Sequence, residues 1–439
     1  MHITPHASSI STEGTDSRQA WIVCLSAGLF FFYEFIQMNM LNSLGSYLMT
    51  EYHITATQLG GLSGWYFYSN LGFLLIAGLL LDRFSTRKII LYAMVSCVFG
   101  TALMAFSHSV LLTSICRFIA GIGGAFCFLS SIRLASRWFP PHRMALLTGL
   151  IVTMAMLGGV VAQTPLAMLA AAVGWRASVL WVAGLGAVIS IVVWKFVLDY
   201  PPGKHETHVQ EQQELKNLGF WKAKRIAFLN KQNWCAGLYT SLLNLPVSLL
   251  GALWGNMYLQ KVHQLTSTQA ASVTMMIFVG TVVGSPFAGW ISDYMGFRRR
   301  PMLIGAIISL LLMVLIIYIP SPSMMTLMVL FLALGLITSS QVISYPTVAE
   351  SNPKILTATS VSVVSISAIA GYPISQILFG AIMDWHWDGT MAEGVRVYSM
   401  ANYQFAITIM PIAFLIALIA ALFLRETYCK TRVNSDSSD

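Results

Sequence analysis

Two ionisable side chains interrupt long apolar runs of this 439-residue chain: Glu34 in "FFFYEFIQMNM" and Arg117 in "SICRFIAGIGG". An ionisable group at the middle of a bilayer costs roughly 2.5–3.5 kcal/mol on insertion scales, so its presence indicates a function. At 1.5 Å per residue, Glu34 is expected about 21 Å into its helix and Arg117 about 12 Å from the end of its own. The two side chains could therefore face one cavity. For Glu34 this predicts substrate contact or proton coupling; a static ion pair or a polar packing contact is the alternative.

Uncharged polar side chains extend this candidate site into other apolar runs. Several form pairs four residues apart, which places both members on one helix face. Aromatic and amide groups drawn from both halves of the chain would suit a polar organic solute, whereas helix–helix hydrogen bonding is the alternative for each. The candidates are Gln37, one turn from Glu34, together with Tyr66, Asn70, Tyr239, Asn244, Gln341, Tyr345, Tyr372 and Gln376.

A second constellation is a charged segment that occurs twice, as "GLLLDRFSTRK" and "GWISDYMGFRRR". Gly78 and Gly289 are 211 residues apart, and so are Asp82 and Asp293. An acid at a helix end beside several cations could latch two halves of a protein in one state and release them in another. Ordinary anchoring at a membrane surface is the alternative. The cations of the two segments are Arg83, Arg87, Lys88, Arg298 and Arg299.

The elements that must position these residues are membrane helices. The chain is 56% hydrophobic and 10% charged, with a mean hydropathy of +0.70, whereas soluble proteins carry about 25% charged residues. Runs of about 20 apolar residues predict spanning helices. The sequence predicts twelve of them, at 20–48, 59–81, 89–107, 109–132, 144–173, 177–198, 234–259, 270–292, 302–319, 323–348, 356–383 and 401–424.

The distribution of Lys and Arg predicts the orientation of these helices. With the N-terminus in the cytoplasm, 21 of the 25 cations fall on the cytoplasmic side, and Arg176, Lys261 and Arg396 fall outside. Both termini are then cytoplasmic. The net charge of +8 is explained by orientation and by contact with anionic lipid, so nucleic acid is not expected as a partner.

The longest connection divides the spans into six and six. We expect a cytoplasmic N-terminal tail over 1–19, a six-helix bundle over 20–198, a cytoplasmic linker over 199–231, a second bundle over 232–425 and a cytoplasmic tail over 426–439. The two charged segments follow the second span of each half. The chain is therefore interpreted as a parallel repeat, an arrangement that suits rocking of one half against the other about a central site.

Enzyme and metal chemistry find no support in the sequence. The six cysteines are interpreted as small apolar side chains because five lie in apolar runs and none form a C-x-x-C pair. "RFIAGIGGA" lies inside an apolar run with no preceding strand, so it is not a phosphate-binding loop. Walker A, H-E-x-x-H and nucleophile-elbow patterns are absent from the sequence. We expect no enzymatic activity, no cofactor and no metal.

The chain resembles the major facilitator superfamily over nearly its whole length. Gly78, Asp82, Arg83, Arg87 and Lys88 match that family's G-x-x-x-D-R-x-G-R-[RK] loop, with "FST" in place of its usual glycine-containing turn, and the second segment is a further copy. "RFIAGIGGA" matches its R-x-x-x-G-x-G-x-A signature in the fourth span. The resemblance implies an all-α fold of twelve transmembrane helices in two six-helix halves. It also implies that Arg117 takes part in proton-linked coupling or binds substrate anions, with structural pairing as the alternative.

The resemblance further implies secondary active transport of a small polar organic solute, such as a carboxylate, amino acid or short peptide, by proton-coupled uptake. "FFYEF", "DRF" and "RFIAGIGG" are similar to the branch that includes lysosomal dipeptide transporters, although Ala125 replaces the carboxylate of that branch. The alternatives are efflux by proton antiport, for which the Gly-Pro pair of many drug antiporters is missing from span 5, and a transporter-like sensor. We expect a monomer in a bacterial inner membrane.

Overall fold

The computed structural model describes residues 15–139, 144–200, 228–352, 357–392 and 395–429, and nearly all of them are helical. The first half contains α1 Thr15–Tyr52, α2 Ala56–Arg83, α3 Thr86–Ala105, α4 Val110–Trp138, α5 Met144–Val161, α6 Thr164–Val173 and α7 Trp175–Phe196. Several helices begin at a side-chain cap. Thr55, for example, forms a capping box with Gln58 before α2.

The second half repeats the helical pattern with more interruptions. It contains α8 Lys231–Leu243, a π-helical segment Pro246–Trp254, α9 Gly255–His263, α10 Ser267–Met295, α11 Arg299–Tyr318, α12 Met324–Thr338, a 3₁₀ helix Ser339–Ile343, α13 Ser344–Ser351, α14 Thr357–Trp385, α15 Met400–Ala406 and α16 Ile409–Phe423. A short antiparallel hairpin, β1 Met391–Ala392 and β2 Val395–Arg396, connects α14 to α15.

Several predicted spans are broken helices. The run 144–173 forms α5 and α6, with Pro165 in the first turn of α6, where its missing N–H costs little. The run 234–259 bends by 41° where Pro246 opens the π-helical segment. Packed membrane helices tolerate such breaks because neighbouring groups satisfy the freed backbone.

Ten helical stretches of the described chain are long and apolar enough to cross a membrane, and the bent pair 231–243 with 246–263 raises the number to eleven. Helix α2 coincides with the second predicted span but is not among them. The all-α membrane architecture is therefore confirmed, whereas the count of twelve stays a prediction.

The helices run back and forth, so the bundle has two ends. We call one the linker end, because residues 200 and 228 flank the predicted linker there. The other is the hairpin end, which holds residues 53–55, 264–266 and the β hairpin. The two halves pack most closely along α2 and α14. A Cβ added to Gly380 of α14 would lie 2.5 Å from the carbonyl oxygen of Ala56, so only glycine allows this approach.

Candidate functional site

Glu34 is completely buried in α1 and is bonded to a neighbouring helix. The hydroxyl of Tyr66, on α2, donates a 2.5 Å hydrogen bond to Oε2 of Glu34. Tyr66 is itself fully buried, so this contact forms well away from solvent. A hydrogen bond to an ionised group is roughly twice as strong as one between neutral groups. Tyr66 therefore stabilises the carboxylate form of Glu34.

Arg117, on α4, is 1% exposed and lies over the face of the Tyr66 ring. Its guanidinium carbon is 4.6 Å from the centroid of the Tyr66 ring, a cation–π contact. Its Nη1 donates a 2.9 Å hydrogen bond to the backbone carbonyl of Gln37. Glu34 and Arg117, both described residues, form no ion pair within 4.0 Å. Tyr66 links the two charges, and the expected shared site is built around its ring.

Several buried polar atoms at this site lack a hydrogen-bond partner of normal geometry among the described residues. They are Oε1 of Glu34, both side-chain amide atoms of Gln37, and Nε and Nη2 of Arg117. Buried polar groups in proteins are nearly always paired, and unpaired ones need an explanation. Oε1 of Glu34 would suit a proton, and the two donor nitrogens of Arg117 would suit an anionic ligand group.

The glycines of "RFIAGIGGA" make room for this site. A Cβ on Gly121 would lie 2.1 Å from the carbonyl oxygen of Tyr66, so α4 contacts the α2 backbone directly. A Cβ on Gly124 would lie 2.5 Å from Nδ2 of Asn70 and 2.6 Å from the Tyr66 hydroxyl. The glycine signature therefore has a local physical reason: it leaves space for the side chains of Glu34, Tyr66 and Asn70.

The second half contributes a neutral polar cluster. Nε2 of Gln341 donates a 3.0 Å hydrogen bond to Oδ1 of Asn244, whose Nδ2 donates to the hydroxyl of Tyr372 at 3.4 Å. The Tyr372 ring stacks on Phe67, with centroids 4.6 Å apart. Phe67 also contacts its neighbour Tyr66, at 5.2 Å. Two stacked aromatic rings thus join the neutral cluster to the charged site.

The other expected site residues do not join this arrangement directly. Tyr239 donates a 2.7 Å hydrogen bond to the carbonyl of Met302, which ties α8 to α11. Gln376 donates to the carbonyl of Ser248 at 2.8 Å and so holds the π-helical segment. The hydroxyl of Tyr345 lies near Ser365. For Tyr239 and Gln376 the contacts favour helix–helix hydrogen bonding.

A network that the sequence did not predict joins the halves between the site and the hairpin end. Nδ2 of Asn42 donates to Oε1 of Gln163 at 2.6 Å, and Thr274 donates to the same oxygen at 3.0 Å. Oδ1 of Asn42 accepts the backbone N–H of Asn256 at 2.9 Å. Nε2 of Gln163 donates to the carbonyl of Gly251 at 2.8 Å. These bonds hold the hairpin end closed; only the position of polar residues in apolar runs could have indicated them.

The first charged segment is anchored by an acid from the end of its own half. Oδ1 of Asp199 accepts the backbone N–H of Arg87 at 2.9 Å, and Oδ2 accepts the Ser85 hydroxyl at 2.5 Å. Oδ1 also lies 3.7 Å from Arg137. The N–H of Lys88 donates to Ser85 Oγ, the N-cap of α3. The side chains expected as a latch at Gly78, Asp82 and Arg83 lie outside the described residues.

The second charged segment is anchored in the same way, by a carboxylate that accepts backbone N–H groups. Glu426 accepts the backbone N–H groups of Arg298 and Arg299 at 2.6 and 3.0 Å. The Arg298 guanidinium pairs with Asp293 at 2.6 Å and with Glu350 at 2.7 Å. Burial alone would lower the pKa of Arg298, but its hydrogen bonds to Glu350 and Asp293 raise the pKa above its ordinary value. A Cβ added to Gly289 would meet no atom within 4 Å, so close packing does not require a glycine at this position.

Within the described residues, no group of three or more His, Cys, Asp or Glu side chains is arranged to hold a metal ion. The model of the Major Facilitator Superfamily matches residues 27–258 and 236–438.

The curated relatives that the chain matches are bacterial transporters. It is 24% identical over 283 residues to a probable sulfoacetate transporter of Cupriavidus necator, which covers 60% of this chain and 63% of that protein. It is 22% identical to a hexuronate transporter of Bacillus subtilis, covering 60% and 61%. It is 24% identical to a D-galactonate transporter of Escherichia coli, covering 61% and 67%. The chain thus matches about three fifths of the length of the first of these relatives.

Solved structures show the same fold over almost the whole chain. A bacterial homolog of the human lysosomal transporter Spinster, inward-facing and unoccupied, has a TM-score of 0.72 at 16% identity, covering 95% of this chain and 99% of that one. A D-xylose–proton symporter has a TM-score of 0.74 at 14% identity, covering 94% and 99%. The chain belongs to the Major Facilitator Superfamily, and it is an integral membrane protein with many spanning helices.

Proposed function

We propose that this transporter carries a small organic anion, a carboxylate or a sulfonate, together with a proton. The observation that supports this most directly is the buried linkage of Glu34, Tyr66 and Arg117, with free polar atoms on both charged side chains. Relatives that transport sulfoacetate, hexuronate and galactonate agree with an anionic substrate.

The charge balance explains why a proton and an anion would travel together. With Glu34 ionised, the charges of Glu34 and Arg117 cancel, and a bound monoanion would leave one uncompensated negative charge. Burial of an unpaired charge is strongly unfavourable. Protonation of Glu34 removes this excess, so the loaded site of proton, monoanion and Arg117 is again neutral.

Each charged side chain has a separate role in this scheme. Oε1 of Glu34 would accept the proton, because it lacks a hydrogen bond of normal geometry whereas Oε2 is occupied by the Tyr66 hydroxyl. Nε and Nη2 of Arg117 are the free donors for the anion, because Nη1 is occupied by the Gln37 carbonyl. A guanidinium presents donors in a fixed fork that fits a carboxylate or sulfonate.

The neutral cluster of Asn244, Gln341 and Tyr372 would hold the uncharged part of the substrate. Its amide and hydroxyl groups donate and accept hydrogen bonds, as the hydroxyl groups of a sugar acid require. Anion recognition in one half and hydroxyl recognition in the other would make the bound substrate a bridge between the halves. Rocking of the halves about such a bridge is alternating access.

The substrate class is tested with the purified full-length protein. D-galactonate, D-glucuronate and sulfoacetate are added in a thermal-shift panel, with D-galactose as the uncharged control. We expect at least one anion to raise the melting temperature and D-galactose to have no effect. Stabilisation by D-galactose but by none of the anions would contradict an anionic substrate.

Uptake across the cytoplasmic membrane further requires the predicted orientation, with the linker end in the cytoplasm. A reporter that is active only outside the cytoplasm, fused after Asp439, should stay silent. The same reporter inserted at Asp388, in the hairpin-end loop, should be active. The reverse pattern would overturn the orientation.

A further inference from the structure

Asp384 connects the two halves at the hairpin end. It lies at the end of α14, in the second half, and its side chain is 17% exposed. Its Oδ2 accepts the backbone N–H of Thr57, on α2 of the first half, at 2.9 Å, and it also accepts the Thr57 hydroxyl. Its Oδ1 accepts the Tyr398 hydroxyl and, at 3.2 Å, Nη1 of Arg396.

The same cluster satisfies a second backbone group of α2. The hydroxyl of Tyr398 accepts the N–H of Ala56 at 2.8 Å while donating to Asp384. The first N–H groups of any helix lack partners within the helix. The side chain of Thr55 accepts the N–H of Gln58, whereas the N–H groups of Ala56 and Thr57 are bonded by the other half of the protein.

This contact differs in kind from the other bonds between the halves. Asn42, Gln163, Thr274 and Asn256 form neutral hydrogen bonds. Among the hydrogen bonds that join the halves between described residues, those of Asp384 are the ones that include an ionised side chain. Charge-assisted hydrogen bonds are the stronger class, and a negative charge at a helix N-terminus gains further from the helix dipole.

We propose that Asp384 is the principal latch of the hairpin end: it caps α2 from the opposite half, and this cap must break each time that end opens. Arg396 and Tyr398 hold the carboxylate in position, with Arg396 stacked 4.3 Å from the centroid of the Trp387 ring. Opening separates the carboxylate from Thr57 and exposes two unpaired N–H groups. The strength of this latch therefore sets how often the hairpin end opens, whatever the substrate or the coupled ion.

The test measures opening directly and needs no substrate. Thr274→Cys provides a reporter thiol of similar size at a fully buried position on the hairpin side of the site. Sealed right-side-out membrane vesicles are treated with a membrane-impermeant maleimide. Peptide mass spectrometry then gives the labelling rate at position 274 alone, separately from the native cysteines. Asp388→Cys, in the exposed loop, shows that the reagent reaches the hairpin end.

In the Thr274→Cys background, Asp384→Asn should raise the labelling rate about tenfold, and Asp384→Glu should raise it less. The matched control is Asp388→Asn, because Asp388 bonds only within its own loop, to the N–H of Thr390 at 3.1 Å. It should leave the rate unchanged. Thr57→Val removes the hydroxyl bond from the other side of the contact and should raise the rate by a smaller factor, which provides a test if Asp384→Asn fails to fold.

An unchanged labelling rate in folded Asp384→Asn or, where that variant does not fold, in folded Thr57→Val would overturn the latch. An equal increase in Asp388→Asn would also overturn it, because general loosening of the loop would then explain the effect. The outcome is independent of proton coupling and of the anion, since neither is added.

Discussion

The hydroxyl of Tyr66 lies 2.5 Å from Oε2 of Glu34, and the face of the same tyrosine ring carries the guanidinium of Arg117. One neutral side chain thus contacts both buried charges. The two charges lie close together in a buried, low-dielectric environment, and they do not form a direct ion pair. This leaves each of them available for a ligand, which a static salt bridge would prevent.

Removal of the Tyr66 hydroxyl should therefore impair transport without unfolding the protein. Hydrogen bonds to charged groups contribute about 1.5–3 kcal/mol, so Tyr66→Phe should lower proton-driven uptake by roughly tenfold or more. Tyr68→Phe is the matched control, because the Tyr68 side chain is 45% exposed on the outside of the same helix. Equal uptake by the two variants, measured in proteoliposomes at matched expression, would argue against a role for the hydroxyl.

A stability measurement distinguishes a ligand site from a static pair. If Glu34 and Arg117 were a buried ion pair, removing one partner would cost about 3–5 kcal/mol, and removing both would recover much of it. The structure shows no direct pair, and in Glu34→Gln the Arg117 guanidinium keeps its hydrogen bond to the Gln37 carbonyl and its contact with the Tyr66 ring, so we expect that variant to lose much less stability than the break of an ion pair would cause. The double variant Glu34→Gln with Arg117→Gln should be no more stable than Glu34→Gln. Recovery of stability in the double variant would support the static pair.

The glycine signature predicts that transport depends on the space beside Gly124. Gly124→Ala would place a methyl group against Asn70 and the Tyr66 hydroxyl, so it should abolish most transport while the helix itself forms normally. Gly184→Ala on α7 is the control, because an added Cβ there meets nothing within 4 Å. Initial uptake rates and melting temperatures of the two variants are compared. Full activity of Gly124→Ala would show that the space is not needed.

The charged segments should affect turnover more than binding. Asp82→Asn should slow transport more than it lowers expression, and Asp293→Asn should be milder, because Asp293 is 69% exposed and Arg298 keeps its bond to Glu350. Glu350→Gln should be more severe than Asp293→Asn, since Glu350 is only 12% exposed. Counterflow rates measured beside expression levels check this order. Normal turnover of Asp82→Asn would favour simple anchoring.

Local patterns in the sequence predict the membrane fold and the candidate site residues Glu34 and Arg117. Apolar runs of sufficient length locate helices, and a charge inside such a run is conspicuous. Glu34 and Arg117 were therefore identified together. The position of Tyr66 between them was not, because its contacts join α1, α2 and α4, and local patterns do not determine how these helices pack.

Residues whose role depends on distant partners were missed. Phe67 is one of four consecutive aromatic residues in "WYFY", and only its stacking on Tyr372 distinguishes it. Asp384 and Asp199 lie at or just beyond helix ends, where acids are common, and the partners Thr57 and Arg87 lie more than 100 residues away from them in the chain. Conversely, the sequence predicted Tyr239 and Gln376 as site residues, but their side chains form hydrogen bonds that tie neighbouring segments together.

The central claim is that Glu34 carries the proton that accompanies the substrate. Proteoliposomes containing a pH-sensitive dye and the unaltered protein are given external D-galactonate, D-glucuronate or sulfoacetate with no initial pH gradient. The proton that enters with the anion should acidify the lumen. With Glu34→Gln, lumen acidification should disappear while exchange of labelled anion for unlabelled anion continues. Undiminished acidification by a well-folded Glu34→Gln variant would contradict the account.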